Sequence, residues 1–264
     1  MKEQHFTIKS HFYNEDRFLV SDNLFAVIDG ATGLNAENDN GKASSASKLA
    51  GFVKSQLAIY KGSDIIGFLR SLSVLALKNG HAKDCSCGVS IVKVNKNTVE
   101  LYCLGDCPIL YQDKNGEVHT FTQTKLPKLD KIALNQMIDY AKANNVSMKK
   151  ARKHIDQTLK KHRSLMNSPD GYWVFAPSEK PNFTVDMITI EKEQLKSIIL
   201  CSDGFAQCYN KLNIFENEKQ LFESQLSLKD ICLKVQRISK ADKDYNLYPR
   251  FKLFDDTTVI KLDF

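Results

Sequence analysis

Apolar positions along this chain recur in two rhythms, and each rhythm predicts a different kind of element. Leu24-Phe25-Ala26-Val27-Ile28 is an unbroken apolar run, as expected of a strand buried on both faces. Phe6-Thr7-Ile8-Lys9 and Phe18-Leu19-Val20 predict two short strands before it. From Ala43 to Tyr60 the spacing changes to three and four residues, through Leu49, Ala50, Val53, Leu57 and Tyr60, which predicts a helix. A second helix follows the Ser63-Asp64 cap, carries Ile65, Phe68, Leu69 and Leu72 on a wide apolar face, and stops at Asn79-Gly80. Runs at 88–94, 98–104, 109–111 and 118–121 then predict strands. The turns Asn95-Lys96-Asn97 and Asp113-Lys114-Asn115-Gly116 join them into an antiparallel meander.

Helical spacing returns between Lys128 and Met166, with Ser147 as a cap between two helices. Strands are expected again at Tyr172-Trp173-Val174-Phe175, at 184–190 and at 197–201. A capping box at Ser227-Leu228-Lys229-Asp230 opens one more helix, and a last strand runs from Thr257 to Leu262. The order gives few strand–helix–strand alternations, which argues against a doubly wound parallel sheet. It predicts an α+β fold: two packed antiparallel β-sheets flanked by helices, an α-β-β-α sandwich.

Composition narrows the class. At 264 residues without a visible linker, a single domain spanning 1–264 is expected. No run approaches a membrane span, and the opening Met1-Lys2-Glu3-Gln4-His5 lacks a signal-peptide stretch, so a cytoplasmic protein is expected. Seven cysteines without framework spacing fit reduced core thiols. The net charge of +6 is concentrated. Residues 124–163 hold eleven Lys or Arg against Asp130, Asp139 and Asp156, a local balance of +8 that leaves −2 for the rest. This basic helical excursion, at about 124–168, would steer an acidic partner; the plainer alternative is the solvated faces of two amphipathic helices. Without an aromatic platform it does not predict a nucleic-acid partner.

The candidate chemistry lies at the ends of the apolar runs. Glu15-Asp16, Asp29 in F-A-V-I-D-G-A-T-G, Asp203 in I-I-L-C-S-D-G-F and Asp255-Asp256 in D-D-T-T-V-I each place a carboxylate where a strand should end. Converging carboxylates repel unless cations hold them, and an all-oxygen donor set selects hard divalent ions. The only tryptophan, Trp173, is expected to pack core against the excursion.

In order, Glu15-Asp16, D-G-A-T-G at 29–33, G-D at 105–106, S-D-G at 202–204 and D-D-T-T-V-I at 255–260 resemble the motifs of the metal-dependent serine/threonine protein phosphatases. That is the PPM, or protein phosphatase 2C, type, and the likeness is to its compact bacterial members from about residue 7 to the end. The resemblance implies Mn²⁺ or Mg²⁺, as two ions with a third in some members. Asp29 would bridge the two, with the Gly30 carbonyl beside it. Asp203 and Asp255 would hold the first ion, and Glu15, or Asp16 through water, the second. Asp106 would serve the third. Asp255 is preferred to Asp256 by its register to Thr258-Val259-Ile260. The implied activity is hydrolysis of phosphoserine or phosphothreonine on a protein by a water bridging the ions, with a cognate kinase as the opposing partner.

Two departures accompany the resemblance. Many members carry an arginine for the substrate phosphate four residues before the glutamate; here that position is His11. Many also carry histidine after D-G as the general acid; here it is Ala31. An imidazole can donate to phosphate or deliver a proton, so His11 joins Asp29, Asp203 and Asp255 as a catalytic candidate, against the alternative of a half-exposed strand residue. The departures keep open a pseudophosphatase acting as a binding module, and a phosphatase of a small phosphorylated metabolite is a second alternative.

Overall fold

The computed structural model describes residues 1–33 and 43–264. In chain order, β1 (Lys2–Ile8), β2 (Arg17–Val20) and β3 (Leu24–Ala31) precede helices α1 (Ser45–Ile59) and α2 (Ile65–Lys78). Strands β4 (Ser86–Val94), β5 (Thr98–Leu104), β6 (Ile109–Asp113) and β7 (Val118–Phe121) lead into α3 (Lys125–Asn144), α4 (Met148–Ala151) and α5 (Asp156–Ser164). Then come β8 (Asp186–Glu191), β9 (Leu195–Cys201), α6 (Asp203–Asn210), α7 (Glu218–Glu223), α8 (Leu228–Ala241) and β10 (Thr257–Asp263). Two five-stranded antiparallel sheets result, ordered β1-β10-β9-β6-β7 and β2-β3-β4-β5-β8.

The unbroken apolar runs are explained by three layers of core. Phe25 and Val27 of β3 face the space between the sheets with Val92, Leu101, Ile109, Leu200 and Ile260. Their neighbours Ala26 and Ile28 turn to the other side, where Leu49, Val53, Leu69 and Leu72 of α1 and α2 cover the sheet. β9 alternates likewise: Ile198 and Leu200 point between the sheets, while Ile199 and Cys201 meet Phe205 of α6 and Ile231 and Val235 of α8. Each such Val, Leu, Ile or Phe side chain, fully buried, contributes about 1.5–3 kcal/mol. The predicted caps are in place: the Asp64 and Ser227 side chains accept from Gly67 N and Asp230 N.

Three expectations need correction. The meander is not continuous. β4–β5 belongs to one sheet and β6–β7 to the other, and the chain crosses between them through Gly105-Asp106-Cys107-Pro108, where Gly105 takes φ +97°. Residues 172–175 do not form a strand; they make only single bridges, Phe175 to Cys87 and Tyr172 to Met166. Finally, α6 and α7 were not foreseen. α6 is only eight residues long, and it opens on an Asp-Gly that reads as a turn.

The basic excursion corresponds to α3–α5. Ala133, Met137, Ala141, Met148, Ala151 and Ile155 make its own small core, which Tyr245, Phe251 and Leu253 from the loop after α8 complete. All nine of its lysines are exposed. All seven cysteines are buried and unpaired. No helix among the described residues is long and apolar enough to cross a membrane.

Candidate metal centre

The strand directions bring the acidic motifs to one end of both sheets. Asp29 lies in the last turn-ward residues of β3, Asp106 follows β5, Asp203 follows β9, Asp255 precedes β10, and Glu15 precedes β2, whose Arg17 pairs with Ile28. Glu15, Asp29, Gly30, Asp106, Asp203 and Asp255 line one cavity of about 280 Å³. A wider apolar groove of about 500 Å³ adjoins it and shares Asp106, Asp203 and Asp255.

Local packing explains how each is held. Gly30 sits so close to the chain that a Cβ would lie 2.8 Å from the Glu15 carbonyl oxygen and 3.0 Å from that of Ala46, which no side chain tolerates. Gly30 N donates to the Glu15 carbonyl at 3.3 Å, and the Thr32 hydroxyl donates to Glu15 Oε1 at 2.9 Å. Arg17 fastens the segment before β2 by donating to the carbonyls of Asn14 and Asp16 at 2.5 and 2.7 Å and to Ser47 Oγ at 2.7 Å. Gly204 must also be glycine, because a Cβ there would meet the Asp256 carbonyl oxygen at 1.9 Å.

Asp16 and Asp256 are placed differently from the others. Asp256 is buried and spends its carboxylate on main-chain amides, accepting from Ser10 N and Glu15 N at 2.5 Å each. Asp16, only 2% exposed, lies outside the cavity wall, and among the described residues neither oxygen has a well-formed hydrogen bond; Ser202 and Thr258 hydroxyls lie alongside.

Burial and mutual repulsion govern the electrostatics of these acids. Burial, then repulsion from Asp255 and Asp256, pushes Asp16 well up. Burial and the facing Asp16, Asp203, Asp255 and Asp106 do the same to Asp29. Asp203 is raised by burial and by Asp255, and Asp106 is pushed up to about 7 by burial and by Asp203. Carboxylic acids held neutral against one another in this way become carboxylates once cations share the space.

Neither a family model nor a curated protein sequence matches this chain. Solved structures do. The serine/threonine phosphatase Stp1 from Staphylococcus aureus superposes with a TM-score of 0.57 at 16% identity, covering 100% of this chain and 94% of Stp1. The catalytic domain of the serine/threonine protein phosphatase PstP, solved with two manganese ions, gives 0.53 at 13% identity over 99% of this chain and 97% of its own. PppA, a regulatory component of the T6SS in Pseudomonas aeruginosa, gives 0.55 at 13% identity over 100% and 97%. The chain has the fold of the bacterial serine/threonine phosphatases. Its acidic cavity sits on that phosphatase fold at the end where strands β3, β5 and β9 finish.

His11 stands apart from the cavity. It is exposed, in the bend between β1 and β2 rather than on a strand, and is not among the lining residues. Trp173 is half-buried against the cluster under α1 and α2. Three charged residues that sequence reasoning missed are close to the acids. Arg163 of α5 and Lys252 line the same cavity, and Asp130 of α3 lines the adjoining groove, with burial and Asp203 pushing it up to about 6. Arg163 and Asp130 belonged to a helical segment read only for its total charge, and Lys252 carries no motif. At the opposite end of β6, Asp113, Glu117 and His119 bring one ligand atom each within 4.8 Å of one another on the hairpin to β7, remote from the cavity.

Proposed function

We propose that this protein hydrolyses phosphoserine and phosphothreonine esters on proteins with the help of divalent cations. The observation that carries the reading is the convergence of five carboxylates from distant segments on one cavity of a phosphatase fold. The donor set is all oxygen, and its buried members are destabilised as anions, which fits Mn²⁺ or Mg²⁺. Asp29, Asp203 and Asp255 would hold one ion. Glu15 and the Gly30 carbonyl, with Asp29 shared, would hold a second, and Asp16 would act behind them through water. Asp106 with Asp203 offers a third, looser position. Bound cations of this kind lower the pKa of a coordinated water and offset the charge of the ester.

The remaining work falls to the chain. Asp256 fixes the Ser10–Glu15 segment, and Gly30 lets the main chain close onto it. The adjoining groove, lined by Pro108, Pro127, Leu134, Tyr209 and Phe251 among polar residues, offers a polypeptide apolar contact beside the acids. This favours a protein substrate over a small metabolite. Such a substrate requires a protein kinase acting upstream, and seven unpaired buried thiols suit a reducing cytoplasm.

The test is phosphate release from a phosphothreonine peptide with Mn²⁺, with chelator, and with Asp29→Ala. Turnover that needs Mn²⁺ and falls roughly 10²–10³-fold or more in the variant is expected, the scale seen when a transition-state-stabilising group is lost. Tight Mn²⁺ binding without turnover on peptide or aryl substrates would instead identify a pseudophosphatase.

A further inference from the structure

Charge balance in the cavity raises a question that the acidic residues cannot answer: what attracts the phosphate. Five carboxylates and two cations line it, a formal −3 once the acids are ionised. Two divalent ions would bring the wall to +1. Without Arg163 and Lys252 it would stand at −1, the sign that repels a phosphate ester. His11 does not contribute, being exposed and outside the lining.

We propose that Arg163 and Lys252 form the phosphate clamp of this chain, one cation delivered by the helical excursion and the other by the loop entering β10. The inference rests on the phosphatase reading above and names the residues that recognise its substrate's charged group.

The geometry of Arg163 supports a fixed anion receptor. Its Nη2 donates to the carbonyls of Ala31 at 3.2 Å and Asp84 at 3.0 Å, which ties α5 to the segment just after Asp29 and Gly30. Tyr172 flanks the guanidinium. Nε is enclosed, so the packing around it and the two anchors fix the orientation of the guanidinium. A guanidinium held this way is pre-organised for a phosphate oxygen. Ala31 leaves the space next to the anchor without a bulky side chain.

Lys252 is a point charge on the other wall. Its Nζ lies 2.6 Å from Asp255 Oδ1. Its backbone is held by the neighbouring Arg250, which is buried and donates to Asp242, to the Ser239 carbonyl and to the Leu253 carbonyl. When a cation takes Asp255, the ammonium loses that partner and becomes available to an anion in the same cavity. The two side chains reach the cavity from segments separated by nearly 90 residues, so the clamp exists only when the excursion is docked.

The experiment measures binding of inorganic phosphate to the Mg²⁺-loaded full chain by calorimetry, for wild type, Arg163→Met, Arg163→Lys and Lys252→Met. Melting curves confirm that each variant is folded. Losing a charge-assisted hydrogen bond should weaken phosphate about tenfold or more in the Met variants. Arg163→Lys should recover part of the loss. Mg²⁺ affinity should be unchanged in Arg163→Met and tighter in Lys252→Met, where a competitor for Asp255 is gone. On p-nitrophenyl phosphate, KM should rise in both. Wild-type phosphate affinity and KM in both Met variants, with wild type itself active, would overturn the clamp and leave the phosphatase reading intact. A wild type that binds Mg²⁺ but neither binds phosphate nor hydrolyses any ester would overturn both.

Discussion

Asp255 lines the acidic cavity, whereas the next residue, Asp256, is turned inward and holds the amides of Ser10 and Glu15. The two substitutions should therefore separate cleanly. Asp256→Asn keeps one acceptor oxygen of two and strands a buried amide, a loss of about 1–3 kcal/mol. It should lower the melting temperature with or without metal. Asp255→Asn removes one of several mutually repelling acids, so metal-free stability should hold or rise while Mn²⁺ affinity falls. Thermal unfolding with and without Mn²⁺ checks both, and a stable Asp256→Asn would contradict the assignment. That Asp255 and not Asp256 lines the cavity agrees with its register to the strand that follows. The role of Asp256 was not, because its partners lie some 240 residues away and present only main-chain amides. Arg163 and Lys252 were illegible for a related reason: a lone cation acquires meaning only from what it faces.

Elements with a clear period and a cap were the readable part of the fold. α1, α2 and α8 combine apolar spacing with polar side chains at their starts, and the structure keeps all three. The segment between α8 and β10 has no period. Its order comes from one buried ion pair. Asp242 accepts from Arg250 Nη1 at 2.7 Å and from the amides of Asn246, Leu247 and Tyr248, while Arg250 Nη2 reaches the carbonyls of Ser239 and Asp242. Arg250→Met should cost about 3–5 kcal/mol, since it leaves a buried carboxylate unpaired. The same variant should misplace Lys252 and Asp255, which follow on this segment. Despite the cost of burial, these hydrogen bonds hold the Asp242 carboxyl below its usual range. A depressed carboxylate stabilises the fold above its unfolded pKa, near 3.9, and loses that contribution as pH falls through its folded value. Acid unfolding should therefore begin at higher pH in Arg250→Met than in wild type; coincident acid transitions would deny the pair its role.

At the scale of the molecule, two antiparallel sheets present one shared end, and that end collects acids from residues 15 to 255. The sandwich was legible because groups of strands with long apolar runs are followed by blocks of helices, with few strand–helix–strand alternations. The crossing at Gly105–Pro108 was not, since strand propensity says nothing about which sheet a strand joins. It is this crossing that carries Asp106 to the cavity. The other metal-compatible cluster, Asp113, Glu117 and His119, lies at the far end of β6 and supplies an internal control. The decisive measurement is anomalous diffraction at the manganese edge from crystals grown with Mn²⁺. Peaks are expected among Glu15, Asp29, Asp203 and Asp255, with the Lys252 ammonium displaced from Asp255. An empty acidic cavity, with manganese found only at the hairpin cluster or nowhere, would contradict that expectation.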